Sequence, residues 1–182
     1  MSEPSIPANL DEKTRRLKEF LDVGATTTLE IVGQFKTSAA VLAVPRPVTV
    51  EAADRDVLGK QLAGVDSQTR LFVSLSFPPL NASDFALLVF VNTPAATVET
   101  AVSAAGFVGA VAFFMDPAGR GHEHGATTFT LPATDAARRT SASPGFTVTL
   151  VPVPYGQRPV TPRPVAFTAS LQFVRSTVKR SG

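Results

Sequence analysis

From residue 26 onward the apolar positions fall into short runs separated by turn residues. TTTLEIVGQF at 26–35 is rich in β-branched residues, and AAVLAV at 39–44 and PVTVEA at 47–52 follow, split by Pro45 and Pro47. RLFVSLSF at 70–77 alternates with a period of two. Leu71, Val73, Leu75 and Phe77 share one face, while Phe72, Ser74 and Ser76 share the other, the pattern of a half-buried strand. FALLVFVN at 85–92 is apolar on both faces, which predicts a central strand covered on both sides. FVGAVAFFM at 107–115, ATTFTL at 126–131, FTVTLVPV at 146–153 and PVAFTASLQFV at 164–174 read as further strands.

Between these runs PPLNASD at 78–84 is a turn cluster, and 93–105 is an Ala- and Thr-rich surface connection. Residues 54–66 are polar, a long loop or a helical turn. TDAARR at 134–139 predicts one helical turn. The first segment differs. Asn9 and Glu12 have the spacing of an N-cap with a reciprocal acid. Leu10, Leu17, Phe20 and Leu21 then share a helical stripe, and Gly24 follows as a stop. Residues 10–22 are expected to form a short amphipathic helix that docks either on its own sheet or on another chain.

Many short strands with little helix point to an antiparallel sandwich or barrel, and most of the 15 prolines fall at predicted strand ends. The fold expected is mainly β: an antiparallel β-sandwich of about seven to nine short strands with a short N-terminal amphipathic helix. Its divisions are an arm and helix at 1–24, a sandwich at 25–176 and a basic tail at 177–182. No fixed-period repeat is visible.

Composition narrows the function classes. The chain has 182 residues, 44% hydrophobic and only 18% charged. The low charge suits a protein that covers a partner or is covered by one. Its 13 Phe, single Tyr and absent Trp assign most aromatics to packing. The net charge is +2, and no basic stripe is interleaved with aromatics, which argues against nucleic-acid binding. Without Cys there is no disulfide, thiolate metal site or cysteine nucleophile. The acid-bearing start MSEPSIPANLDEK is not a signal peptide, and no stretch approaches the ~18 apolar residues of a membrane helix. A cytoplasmic location and no membrane partner are the expectations.

Candidate chemistry is sparse. His122 and His124 flank Glu123 in the Gly-rich segment GHEHG, with Met115 and Asp116 nearby. Imidazole and thioether suit copper, and imidazole suits zinc or nickel. Two ligands make an incomplete site that needs a partner or a second copy to bind tightly. The plainer reading is an exposed polar loop, so no cofactor is expected, with copper as the alternative. No G-x-S-x-G elbow and no Gly-rich phosphate loop occurs. Asp54, Asp56 and Asp66 lack the spacing of an EF-hand. Asn81-Ala82-Ser83 is a sequon that matters only in a secreted protein. Tyr155 lies in the proline-rich stretch VPVPYGQRP, where the plainer reading is an ordinary loop aromatic packing on prolines.

Several segments occur in a telling order. They are Val44-Pro45-Arg46-Pro47, Val89-Phe90-Val91-Asn92, Ala105-Gly106-Phe107-Val108, His122 with His124, Thr134–Arg139, and Val148-Thr149-Leu150-Val151-Pro152. In this order they resemble the C-terminal domain of type 3 copper enzymes, the polyphenol oxidases and tyrosinases, over residues 44–174. Two departures stand out. The family's Lys-Phe-Asp strand start is Ala86-Leu87-Leu88 here, and no copper-binding catalytic domain precedes it in this sequence. The resemblance implies a β-sandwich that shields a copper pocket, with Tyr155 or a Phe as the side chain facing the partner. A dicopper site of that family needs three histidines per metal, and this chain has two in all. The expected role is therefore non-catalytic: covering or regulating a type 3 copper oxidase domain or subunit by steric shielding. The alternatives are a free-standing assembly module forming homo-oligomers, and a weak copper-binding or copper-transfer protein acting through the GHEHG loop.

Overall fold

A computed structural model of the chain describes residues 25–37, 39–51, 55–79, 85–113, 126–141, 146–155 and 163–180. They form nine strands and two short helices. In order these are β1 (Ala25–Lys36), β2 (Ala40–Val44), β3 (Val48–Glu51), α1 (Arg55–Ala63), β4 (Thr69–Phe77) and β5 (Phe85–Val91). There follow β6 (Phe107–Ala112), β7 (Thr127–Pro132), α2 (Thr134–Arg139), β8 (Thr147–Pro154) and β9 (Arg163–Arg180). The arm and the helix expected within 1–24 lie outside the described residues.

The strands make an antiparallel β-sandwich. One sheet has the order β1-β9-β4-β7 with β2 also paired to β9; the other has the order β3-β8-β5-β6. The alternation seen in the sequence sets the faces. On β4, Leu71, Val73, Leu75 and Phe77 point into the core, as do Leu87, Val89 and Val91 of β5 and Leu171 and Phe173 of β9. Both sheets contribute to this one cluster, which is what joins them. At about 25 cal/mol per Å² of apolar surface removed from water, this burial is the main term favouring the fold.

β5 is interior in its sheet, as its two-sided apolarity predicted. Its outer face carries Leu88 and Phe90. These form a second cluster with Val151, Phe107, Ala96 and Ala104, so the 93–105 connection folds back to cover that face. The polar stretch 54–66 contains a helix, α1, anchored by the fully buried Leu58. The absent side chain of Gly33 leaves room for the Gln61 carboxamide, which a Cβ there would strike.

The chain divides into two compact units, Ile31–Arg175 and Met1–Glu30 with Ser176–Gly182. In the second, the described residues 25–30 and 176–180 are all strand. Residues 177–180, within the segment expected as a basic tail, form the end of β9. Thr177 and Val178 are β-branched, which favours extended backbone, and charged residues follow them in sequence.

Candidate functional site

The ladder registers place several connections at one end of the sandwich. Val44 lies opposite Arg163, Phe77 opposite Thr127, Phe85 opposite Pro154, and Ala86 opposite Ala112. The β2–β3, β4–β5, β6–β7 and β8–β9 connections all start or finish there. Beneath them an aromatic plug closes the core. Phe113 stands edge-on to Phe77 at 5.1 Å and to Phe129 at 5.4 Å. It lies 5.3 Å from Phe85, and Phe77 stacks on Phe167 at 5.9 Å. The Arg163 guanidinium carbon sits 5.7 Å above the Phe85 ring, a cation–π contact.

Above the plug the described residues present several prolines. Pro45, Pro47, Pro78, Pro79 and Pro164 are exposed, as is Arg46. Tyr155 follows directly on Pro154 and is 45% exposed. A concavity of about 370 Å³ opens between Val44, Pro45, Arg46, Arg163 and Pro164. Residues of two Pro-Arg-Pro sequences, 45–47 and 162–164, supply most of its wall. Proline fixes φ and carries no N–H, so such a surface loses little conformational entropy when a partner covers it.

The opposite end is tied together by hydrogen bonds. Asn92 adopts a φ of 49° at the close of β5, a conformation Asn tolerates better than most residues. Its N–H donates to the Thr147 carbonyl at 2.9 Å, and its Oδ1 accepts from the Thr147 N–H at 3.0 Å. Its Nδ2 donates to Thr140 Oγ1 at 3.1 Å, and that hydroxyl donates to the Ala136 carbonyl at 2.8 Å. One side chain thus joins the end of β5, the end of α2 and the start of β8. The Gly106 carbonyl accepts from the Val91 N–H at 2.8 Å, and a Cβ at Gly106 would collide with the Val91 carbonyl and the Thr93 side chain. Arg139 Nε donates to the Ala105 carbonyl at 3.1 Å. Thr134 Oγ1 accepts from the Leu71 N–H at 2.8 Å, which seats α2 on β4.

The predicted site residues fare unequally. His122 and His124, with Met115 and Asp116, lie outside the described residues; their connection leaves from Phe113 and returns at Ala126. Asp54 and the sequon at 81–83 are also outside. Asp56 is exposed on α1. Asp66 accepts from the backbone N–H groups of Gln68 at 2.9 Å and Thr69 at 2.7 Å, so it shapes the turn into β4. Among the described residues, no three His, Cys, Asp or Glu side chains stand close enough to hold a metal ion. None of the described helices is long and apolar enough to cross a membrane. Tyr155, expected to face a partner, lies exposed at the proline-rich end. Sequence reasoning missed the pairing of Arg46 with Arg163 at one concavity. The repeated Pro-Arg-Pro was the signal that could have found it.

The segments that carry the family resemblance are mostly framework. Asn92, Gly106 and α2 form the tied end, and 148–152 lies within β8. No protein-family model and no curated protein sequence matches the chain.

Proposed function

We propose that this chain is a non-catalytic β-sandwich that covers the active-site mouth of a type 3 copper oxidase partner, docking through its proline-rich end. The observation that carries the reading is the exposed Tyr155 at the end of the sandwich where Pro45, Pro47, Pro78, Pro79 and Pro164 are also exposed. Its action is steric. Tyr155 enters the partner's substrate channel, the prolines seat around the mouth, and water and phenolic substrate are kept out. Arg46 offers a guanidinium to carboxylates on the partner's rim, where a charge sets register and encounter rate more than affinity. The two histidines of the chain leave the copper chemistry to the partner.

The test is co-purification with type 3 copper oxidases of the same genome, followed by phenol oxidation with and without the chain. Stable association with slowed oxidation supports the reading. Absence of both association and any change in rate refutes it.

A second reading, self-association, is favoured by one specific observation. β1 is exposed at every position from Thr27 to Val32, with Leu29 70% and Ile31 57% exposed, and Val178 of β9 is 56% exposed. Exposed apolar strands invite pairing with another chain. Sedimentation of the intact chain at rising concentration decides it, since a strict monomer rules self-association out.

A further inference from the structure

We infer that β1 pairs antiparallel with β1 of a second copy about a two-fold axis at Gly33, joining two five-stranded sheets into one. The inference rests on the self-association reading and gives it a register. β1 is the last strand on its side of the five-stranded sheet, and among the described residues no strand pairs with its outer edge. Elsewhere the sheet edges close on each other, β6 against β7 and β2 against β3. A long edge strand offers free backbone N–H and C=O groups to another chain. A second copy supplies a matching edge, and a two-fold axis closes the assembly at two chains.

Pairing about Gly33 sets Glu30 opposite the second copy's Lys36, Ile31 opposite Phe35 and Val32 opposite Gln34. Glu30 and Lys36 are both exposed, and symmetry makes two opposite-charge cross-strand pairs of them. A lysine on an edge strand ordinarily deters pairing; here Glu30 answers it. The exposed Ile31 comes to lie beside Phe35, whose ring already meets Phe173 at 6.0 Å. Other registers do worse. Core-facing residues must meet core-facing residues across the junction, so the axis moves only in whole-residue steps. At Glu30 it sets glutamate against glutamate, and at Ile31, Val32 or Gln34 it parts Glu30 from Lys36.

Gln61 of α1 points to the same axis independently. Its carboxamide lies over Gly33, in the space a Cβ would take, and its Oε1 is buried with no hydrogen-bond partner. Buried polar atoms are nearly always bonded, and a carboxamide both donates and accepts. A two-fold axis at Gly33 brings the second copy's Gln61 to the other side of that axis. A turn of each carboxamide then lets the two exchange N–H···O bonds. Val57, four residues before Gln61 and half exposed, shares that side of α1 and is left for the second helix to cover.

The experiment is sedimentation equilibrium of the full chain and of charge variants, with circular dichroism to confirm that each variant folds. The parent chain should dimerise. Glu30→Lys and Lys36→Glu each set like charges opposite one another twice, and each should weaken the dimer about tenfold, the scale of two cross-strand charge pairs. Mixed together, the two single variants should pair with each other more tightly than either pairs with itself, because the mixture restores opposite charges across the axis. The double variant Glu30→Lys with Lys36→Glu should regain the parent's affinity. A strict monomer at millimolar concentration overturns the inference together with the self-association reading. A dimer that neither single variant weakens, or a mixture that gains nothing, overturns the pairing about Gly33 and leaves self-association through another surface.

Discussion

The two ends of the sandwich are built on opposite principles. At one, Asn92, Thr140, Thr147, Gly106 and Arg139 exchange hydrogen bonds across four segments of chain. At the other, aromatic rings plug the core and prolines cover it. The tied end spends Asn92 and Thr140 on bonds within the chain. The proline-rich end leaves Tyr155 and Arg46 exposed among prolines. The difference separates two kinds of sequence signal. Framework motifs mark where the chain is tied, and their order speaks to fold. Of the described segments that carry the resemblance, Val44-Pro45-Arg46-Pro47 falls at the proline-rich end.

The comparison can be broken first in the plug. Phe77→Ala removes a ring that meets Phe113, Phe129 and Phe167 and should cost about 3–5 kcal/mol in urea unfolding, as large-to-small aromatic changes in cores do. At the tied end Gly106→Ala should cost about 2–4 kcal/mol, because the new methyl meets backbone and the strands must part. Asn92→Ala should cost about 2–3 kcal/mol, through lost bonds to Thr140 and Thr147 and through strain at positive φ. Asn92→Gly should cost less, since it relieves the strain and loses only the bonds. Equal losses for the two Asn92 variants would remove strain from the account. The smallest stability effect belongs to Tyr155→Ala, within about 0.5 kcal/mol as for an ordinary surface change. A loss as large as that of Asn92→Ala would mean that Tyr155 holds the fold together rather than facing a partner.

Most strands were legible because a half-buried strand must alternate. β4 reads directly from Leu71, Val73, Leu75 and Phe77. β5 reads as central because Leu88 and Phe90 are apolar on the face where solvent would otherwise lie. Two elements were less legible, each for a physical reason. α1 holds to the core chiefly through Leu58, with Val57 half exposed, so it presents no apolar stripe of normal width. The end of β9 runs into charged sequence, and hydropathy does not mark it as strand. Of the proline-rich end, the sequence singled out Tyr155 and the segment Val44-Pro45-Arg46-Pro47. The meeting of Arg46 with Arg163, and of Ser74 with Ser170, depends on register between distant strands. No local pattern contains that register.

The most direct test of the covering role is phenol oxidation by a type 3 copper oxidase of the same genome, measured with this chain added in excess and again with its Tyr155→Ala variant. The account predicts slowed oxidation with the parent chain and restored oxidation with the variant, whose stability is unchanged. Equal rates with parent, variant and no addition would contradict it.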